Sequence, residues 1–267
     1  MVGVDDHALD LNAYFRRIDY AGPREPSLAC LEAVHLAHAT HIPFENLDIQ
    51  LGLPIRLDLA TLEDKLVRRR RGGYCFEQNT LFHAVLLRLG FKLETLEARV
   101  RFGATELSSR SHMTLRVHLP EGDWLADVGF GGEGLLGPVR WDGEVDDRFG
   151  ERHRLHPEGR RGVLQVQRPE GWFDLYAVEP EPVYPVDYLV GNHYTSSYPE
   201  SRFVKTLTAQ LPTPGARHLL RNRSYAVQRG AEVETREISD SEELLTLLRE
   251  TFGLDFPPGT RFRNPEF

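Results

Sequence analysis

The sequence predicts an α+β protein with a helical block first, a β block second and a smaller mixed block last. The period of the apolar residues carries this prediction. Over about the first ninety residues, apolar side chains recur every three to four positions, which is the spacing of amphipathic helices. From about Leu93 the period becomes two, which is the spacing of half-buried strands. The Pro-rich segment 179–187 then precedes the last block and is interpreted as a linker.

The first two helices are predicted from their ends. The first begins at Asp10 and stops before Gly22. Ser27 has the side chain of an N-cap for the second helix, which extends through Thr40. Cys30 lies on this helix among apolar neighbours, and we interpret it as core packing.

Two further helices are predicted before the β block. One begins at Thr61 and ends in the arginines at 68–71, where positive charges face the negative end of the helix dipole. The next follows Cys75 and is expected to close at Gly90, because glycine is common just beyond a helix. Its apolar stripe consists of Phe82, Val85, Leu86 and Leu89.

A hairpin is expected to open the β block. From 112 to 119 apolar residues alternate with polar ones, and a turn at 120–123 leads into a returning strand at 124–128. A loop of these four residues pairs Arg116 with Asp127. The remaining predicted elements are strands near 163–168 and 173–178, the segment 203–211, a hairpin around 222–224, and a helix from the capping sequence 239–242 to Gly253.

Composition argues against several classes of function. The net charge of −8 and the pI near 5.8 argue against nucleic acid as a main partner. No apolar run reaches the roughly 18–20 residues of a membrane span, and the acidic N-terminus lacks the pattern of a signal peptide. The two cysteines have no metal-ligand spacing around them, so we expect neither a zinc site nor a disulfide framework. We therefore expect a cytoplasmic protein with reduced thiols.

Cys75 has two interpretations. It follows Gly72 and Gly73 and precedes a helix, where a small buried residue could simply fill the core. A helix N-terminus also favours a thiolate, because unpaired amides and the helix dipole stabilise negative charge there. The same amides could hold the oxyanion of a tetrahedral intermediate, and the glycines would let a substrate approach closely. Position alone leaves both interpretations open.

The hairpin supplies a histidine and a carboxylate as candidate partners of the cysteine. In the predicted register His112 and Asp127 share one face of the hairpin. Such a pair can act as a base and its orienting carboxylate. The same register leaves them four residues apart along the ladder, so contact needs a bulge, a longer loop or strong twist. Ordinary roles in a strand and a turn are the alternatives.

Five short motifs resemble signatures of one enzyme family. In chain order they are YFRRIDY, IPFENLD, RGGYCFEQN, SHMTLRV and LADVGFGG, and together they resemble the arylamine N-acetyltransferases. The resemblance is strongest from Tyr14 to about Leu136. It implies a helical bundle at 1–91, a central antiparallel β-barrel at 92–187 and a C-terminal α/β lid at 188–267, around a cysteine-protease-like catalytic core.

The resemblance also implies a reaction. Cys75 would take the acetyl group of acetyl-CoA as a thioester, His112 would move the thiol proton, and Asp127 would orient the imidazole. CoA then leaves, and an arylamine, arylhydrazine or similar amine accepts the acetyl group in a ping-pong mechanism. No permanently bound cofactor is implied, since acetyl-CoA is a co-substrate. The alternative is a cysteine hydrolase or a transglutaminase-like enzyme with the same Cys-His-Asp triad.

The resemblance further assigns residues to the two substrates. Residues 129–134 match GxGxxG, but no convincing helix follows them, so we interpret the match as a Gly-rich turn rather than a dinucleotide fingerprint. The acetyl-CoA contacts implied by the resemblance are Ser108, Ser109, Gly129, Phe130 and Gly131. A flat, apolar amine needs aromatic walls, and the candidates are Phe44, Tyr74, Phe130 and Phe203, each with core packing as the alternative. Glu45 and Arg71 resemble a structural ion pair near the nucleophile.

Overall fold

A computed structural model describes residues 9–181 and 183–265 of the chain. Positions 1–8, which begin the acidic N-terminus, and Pro182 of the predicted linker lie outside the described residues. The described part contains helices, an eight-stranded sheet and a five-stranded sheet, in the α+β class that the sequence predicts.

The elements follow one another in this order along the described ranges. The helices are α1 (Leu11–Arg17), α2 (Leu28–His41), α3 (Leu47–Gln50), α4 (Leu59–Leu62) with a π-helical continuation (Glu63–Arg68), α5 (Cys75–Arg88), α6 (Pro185–Ser197), α7 (Arg202–Lys205) and α8 (Ser241–Phe252). The strands are β1 (Phe44–Glu45), β2 (Lys92–Val100), β3 (Arg110–Leu119), β4 (Gly122–Ala126), β5 (Val139–Arg140), β6 (Asp146–Arg148), β7 (Glu151–Glu158), β8 (Arg161–Arg168), β9 (Gly171–Glu179), β10 (Thr208–Thr213), β11 (Ala216–Arg221), β12 (Ser224–Arg229) and β13 (Glu232–Glu237).

The helix starts follow from local capping. Asp10 and Ser27 each accept a hydrogen bond from the backbone amide three positions later, as expected for N-caps. The third predicted helix begins earlier than Thr61, because Asp58 caps it by accepting from Thr61 N–H at 3.0 Å. It then continues as a π-helical turn, which the apolar spacing does not predict.

The last turn of α5 is closed by the predicted glycine. Gly90 N–H donates to Leu87 O, and Phe91 N–H donates to Leu86 O. These two bonds form a Schellman motif, which satisfies carbonyl groups at the helix end. Phe91 and Leu86 are both buried, so the turn also contributes to the core.

The larger sheet forms the central barrel. Its strand order is β5-β4-β3-β2-β9-β8-β7-β6, and its pairs are antiparallel. The sheet curves until it is nearly closed. Val139 on β5, near one edge, and Leu155 on β7, near the other, therefore pack in the same apolar cluster. The sequence pattern does not predict β5, β6 or β7, because the first two have only two and three residues and the third is rich in charged residues.

The β3–β4 hairpin turns more tightly than predicted. Its loop has two residues rather than four, and Arg116 pairs with Leu125 rather than with Asp127. Gly122, at φ +132°, accommodates the tight turn. A shift of two positions keeps every side chain on its predicted face, because the side-chain period of a strand is two. It also brings Asp127 two positions nearer to His112, to the diagonal distance that side chains can bridge.

The C-terminal lid is completed by a strand from the helical block. The lid sheet has the order β1-β10-β11-β12-β13, so Phe44–Glu45 forms one of its edges. Asn46 extends the connection by accepting from Thr208 N–H at 2.8 Å and donating to Thr206 O at 2.7 Å. The helix α8 packs on this sheet through a cluster that includes Leu220, Leu244, Leu248 and Phe252.

The predicted linker begins and ends in regular structure. Glu179 ends β9, and Pro185 is the first residue of α6, where a proline has no hydrogen bond to lose. Asp187 caps α6 by accepting from a backbone N–H three residues earlier, at 2.8 Å. Phe203 lies in the short helix α7, and within the predicted segment 203–211 a strand begins only at Thr208.

A buried network of charges holds the first turn of α5. Lys65 donates to Glu77 Oε1 at 2.7 Å and contacts Asp48 Oδ2 at 2.8 Å. Arg71 donates to Glu45 Oε1 and to Asp48 Oδ1, each at 2.9 Å. The network joins β1, α3, the π-helical turn and α5 into one unit.

Arg71→Met is expected to lower the free energy of unfolding by roughly 3–5 kcal/mol, because the fully buried Glu45 carboxylate loses the cation that balances it. Arg70→Met is the matched control, since the neighbouring Arg70 is exposed. Equilibrium urea unfolding of the two variants measures the difference. Equal losses in both variants would contradict a structural role for the Glu45–Arg71 pair.

Candidate active site

Cys75 is the first residue of α5 and lies where the backbone amides of the helix are unpaired. Its side chain is only 4% exposed, and Sγ is 3.7 Å from Ser111 O. Gly129 packs against it so closely that a Cβ would lie 2.8 Å from Cys75 Cα. Gly129 N–H also donates to Asp127 Oδ1 at 2.9 Å. A side chain at position 129 would therefore push the Gly-rich turn away from both groups.

His112 and Asp127 form a hydrogen-bonded pair next to this cysteine. His112 Nε2 is 2.6 Å from Asp127 Oδ2, and both side chains are buried. Burial opposes a charge on the imidazole, but the Asp127 carboxylate and Cys75 outweigh it and raise the pKa of His112 to about 10. Burial likewise opposes the charge of Asp127, but His112 outweighs it and keeps the pKa of Asp127 low. At neutral pH the ring is an imidazolium, and Nδ1 is left to exchange a proton with Cys75.

Asn79 holds the aspartate in place, a role that no sequence pattern assigns to it. It donates to Asp127 Oδ1 and to Met113 O, each at 2.8 Å, and accepts from Val128 N–H at 3.1 Å. It thereby joins α5 to β3 and to the residues after β4. Asn79 is the last letter of the RGGYCFEQN motif and lies one helical turn after Cys75, which is the signal that could have identified it.

His35 on α2 supports the backbone of the same aspartate. Asp127 N–H donates to His35 Nε2 at 3.2 Å. Burial lowers the pKa of His35 to about 4, so the ring stays neutral and Nε2 can accept this bond. The two residues are 92 positions apart, and no sequence pattern signals the contact.

Three of the predicted acceptor-pocket residues form one aromatic cluster. The ring centroid of Phe203 is 5.9 Å from that of Phe44 and 5.7 Å from that of Tyr74. Tyr74 is fully buried, and its hydroxyl donates to Asn192 Oδ1. Phe203 is the half-buried member of the cluster, and Tyr74 packs behind it.

Phe130, the fourth of these residues, contacts the barrel side of the site. Its ring centroid is 5.2 Å from that of His112 and 5.0 Å from that of Tyr176. Phe130 and Phe44 both line a cavity of about 30 Å³ beside Asp127. A cavity of this size holds on the order of one water molecule, so it is too small for an aromatic ring.

Three of the five residues predicted to bind acetyl-CoA line two separate cavities, and Ser109 and Gly129 line neither. Gly131 belongs, with Phe130, to the small cavity beside Asp127. Ser108 lines an open cavity of about 490 Å³ between the β2–β3 loop and the strands β8 and β9. Ser109 is exposed in the same loop.

Two lid residues, neither part of a recognised motif, hold the Gly-rich turn from the outside. Arg217 on β11 is buried and donates to Gly132 O at 2.6 Å and to Gly134 O at 2.8 Å. Glu151 Oε1 accepts from the same guanidinium at 2.5 Å. Gln210 on β10 accepts from Gly132 N–H. The lid therefore sets the shape of the turn that packs against the cysteine.

Within residues 9–181 and 183–265, no three His, Cys, Asp or Glu side chains are grouped so that they could hold a metal ion. No helix in these ranges combines the length and the apolar character needed to cross a membrane. Both cysteines are free thiols.

Comparison with known proteins identifies relatives over nearly the whole chain. A family model described as N-acetyltransferase matches residues 27–260. The arylamine N-acetyltransferase of Mycolicibacterium smegmatis is 40% identical to this chain over 255 residues, which are 93% of this chain and 93% of the relative.

Solved structures confirm the predicted fold class. The arylamine N-acetyltransferase of M. tuberculosis matches with a TM-score of 0.88 at 39% identity, covering 91% of this chain and 93% of that one. The Mycobacterium marinum enzyme in complex with CoA matches with a TM-score of 0.87 at 36% identity, covering 91% and 92%. By sequence and by structure, the chain belongs to the arylamine N-acetyltransferase family of acyltransferases.

Proposed function

We propose that the chain uses acetyl-CoA to acetylate arylamines and arylhydrazines through an acetyl thioester on Cys75. The observation that carries the proposal is the 2.6 Å hydrogen bond between His112 Nε2 and Asp127 Oδ2, beside a cysteine at a helix N-terminus. Family membership supports acyl transfer, and the CoA complex of the M. marinum relative supports CoA as the acyl carrier.

In the first half-reaction, Cys75 Sγ, whose proton His112 already holds on Nδ1, attacks the carbonyl carbon of acetyl-CoA. A new C–S bond forms, and the negative charge of the tetrahedral intermediate faces the unpaired amides of the first turn of α5. Collapse of the intermediate breaks the bond to the CoA sulfur. That sulfur takes the proton from His112 and leaves as a thiol, so that Cys75 keeps the acetyl group.

In the second half-reaction, the nitrogen of the acceptor amine attacks the acetyl carbon, and His112 takes one N–H proton. The bond to Cys75 Sγ breaks, His112 keeps the proton beside the freed sulfur, and the acetylated amine leaves. A thioester is activated enough for an amine to displace the sulfur. Asp127 keeps the imidazolium oriented in both half-reactions, and Asn79 and His35 keep Asp127 in position.

For acetyl-CoA we propose the Gly-rich turn and the loop that carries Ser108 and Ser109. Phe130 and Gly131 are the contacts offered by the turn. Gly129 acts through close packing, because its N–H is already bonded to Asp127.

For the acceptor amine we propose the aromatic cluster of Phe44, Tyr74 and Phe203, with Phe130 across the small cavity that it shares with Phe44. Phe203 offers the accessible ring, since it is the half-buried member. Two free cysteines fit a reducing compartment, and we propose the cytoplasm as the location.

Incubation with acetyl-CoA alone is expected to add one acetyl group to the native chain, because the first half-reaction needs no amine. Intact-mass spectrometry measures the addition. Cys75→Ala should add none, whereas the matched variant Cys30→Ala should still add one, since Cys30 is buried on α2. An arylamine added afterwards should restore the original mass and appear as its acetylated product.

A native chain that gains no acetyl group would contradict the proposed transferase. Acetylation that persists in Cys75→Ala would place the nucleophile elsewhere. Loss of the acetyl group to water at a rate that added amine does not exceed would favour the cysteine hydrolase instead.

Stability is expected to fall as the pH rises from about 6.5 to 9.5, because His112 keeps its proton up to a pKa of about 10 in the folded chain and only up to about 6.5 in the unfolded chain. The stabilisation that protonated His112 gives the folded chain is fully present below the pKa of the unfolded chain. It is lost as the pH rises through the pKa of the folded chain. Asp127→Asn removes the carboxylate that retains the proton, so the fall over this range should shrink by about 3 kcal/mol. Urea unfolding of both proteins at the two pH values measures this, and parallel profiles would contradict the charged pair.

A further inference from the structure

The short helix α7 carries Phe203, which offers the accessible ring of the proposed acceptor pocket. A helix leaves its last four carbonyl groups without partners inside the helix, and α7 has only the four residues Arg202–Lys205. So short a helix has little stability of its own. The position of the Phe203 ring therefore depends on hydrogen bonds that other elements provide.

Two buried amide side chains, at the start and at the end of α3, provide those hydrogen bonds. Gln50 donates to Phe203 O at 2.7 Å, and Asn46 donates to the same oxygen at 2.8 Å. Both residues are only 1% exposed, and they lie four positions apart, about one turn of a helix. A carbonyl oxygen has two lone pairs, so these two bonds use the whole acceptor capacity of Phe203 O. The helix α3 thus holds α7 at the residue that carries the pocket ring.

The C-terminal tail fixes the orientation of the Gln50 amide. Asn264 donates to Gln50 Oε1 and to Val204 O, each at 3.2 Å. The backbone of the tail is tied to the same residue, since Arg263 N–H donates to Gln50 O at 2.9 Å. An amide accepts at its oxygen and donates from its nitrogen. The oxygen of Gln50 therefore faces the tail, and its nitrogen faces α7.

Asn46 and Gln50 differ in what else they support. Asn46 also accepts from Thr208 N–H at 2.8 Å, so it holds the lid strand β10 as well as α7. The hydrogen bonds of the Gln50 side chain join it to α7 and to the tail. A change at Gln50 therefore acts on α7 and leaves β10 and Cys75 in place.

We propose that Gln50 is a positioning residue for the acceptor amine and acts through the ring of Phe203. The role rests on the proposed function, in which this ring contacts the amine. The ring centroid of Phe203 lies 5.9 Å from that of Phe44 and 5.7 Å from that of Tyr74, so a displacement of α7 changes the shape of the aromatic cluster. The second half-reaction then slows, whereas the first, which needs no amine, keeps its rate.

Gln50→Met tests the proposal, because methionine has a similar length but no N–H to donate. Acetylated chain is prepared with acetyl-CoA, separated from the excess and mixed with aniline, and intact-mass spectrometry follows the loss of the acetyl group. The rate constant with aniline should fall about 10-fold to 100-fold, the scale expected when a reactant is displaced by about 1 Å. The rate of acetylation by acetyl-CoA should equal that of the native chain. Gln228→Met is the matched control, since Gln228 on β12 donates to Gly230 O, and it should change neither rate.

A double-mutant cycle with Phe203→Ala separates positioning from a general structural role. Effects of residues that act through one another are not additive. Adding Gln50→Met to Phe203→Ala should therefore leave the rate with aniline where Phe203→Ala alone puts it. Additive losses overturn the proposal, and so does a loss in Gln50→Met that is equal in the two half-reactions.

Circular dichroism and thermal unfolding establish that each variant is folded. Where Gln50→Met does not fold, Asn264→Ala decides in its place, because it removes the support of the Gln50 amide from the tail; it should slow only the reaction with aniline, and native rates in both half-reactions overturn the proposal. A native chain that takes no acetyl group overturns the proposed function, and the role of Gln50 falls with it. A native chain that is acetylated, together with a folded Gln50→Met that matches it in both half-reactions, overturns the role of Gln50 alone.

Discussion

The buried charges beneath α5 are the constraint on which the active site depends. Glu77 is shared between two tasks, because one of its oxygens accepts from Lys65 and the other accepts from Tyr74 N–H at 3.1 Å. Burial raises the pKa of Glu77 to about 7 against the opposing effect of Lys65, so this carboxylate is costly to keep charged. The same side chain fixes the turn that carries Cys75, and the direction of the amides around the sulfur follows from it.

Asp127 is the second point at which separate parts of the chain meet. Its carboxylate is shared by His112 from the barrel and Asn79 from the nucleophile helix, and its backbone is tied to His35 from the helical bundle. A buried carboxylate needs such partners, because each unsatisfied oxygen would cost free energy. The lid covers the same region through Arg217, which donates hydrogen bonds to the Gly-rich turn that follows Asp127. The site thus draws on all three parts of the fold.

The parts of the fold that could be predicted from the sequence are those with local causes. N-caps, the glycine after α5 and the two apolar periods each depend on residues a few positions apart. The register of the β3–β4 hairpin does not have such a local cause. A loop of two residues and a loop of four residues both keep His112 and Asp127 on one face, but only the shorter loop, which turns at Gly122, brings them into contact. The roles of Asn79 and His35 could not be predicted, because their hydrogen bonds to Asp127 form only when the helices pack against the barrel. The motifs indicated Cys75, His112 and Asp127, which the fold brings together. Their catalytic roles and the substrate contacts, such as the fully buried Tyr74, stay predictions.

The edge position of β1 determines when, during synthesis, this site can exist. Asn46 leaves the ribosome 162 residues before Thr208, to which it is hydrogen-bonded in the lid. Contacts between such distant residues form late, because the entropy of closing a long loop has to be overcome first. Until β10 has emerged, the strand beside Phe44 has no sheet to join, and the Gly-rich turn has no lid to shape it. Between the synthesis of Cys75 and that of Thr208, the nascent chain therefore carries this cysteine without the surroundings that we propose to make it reactive.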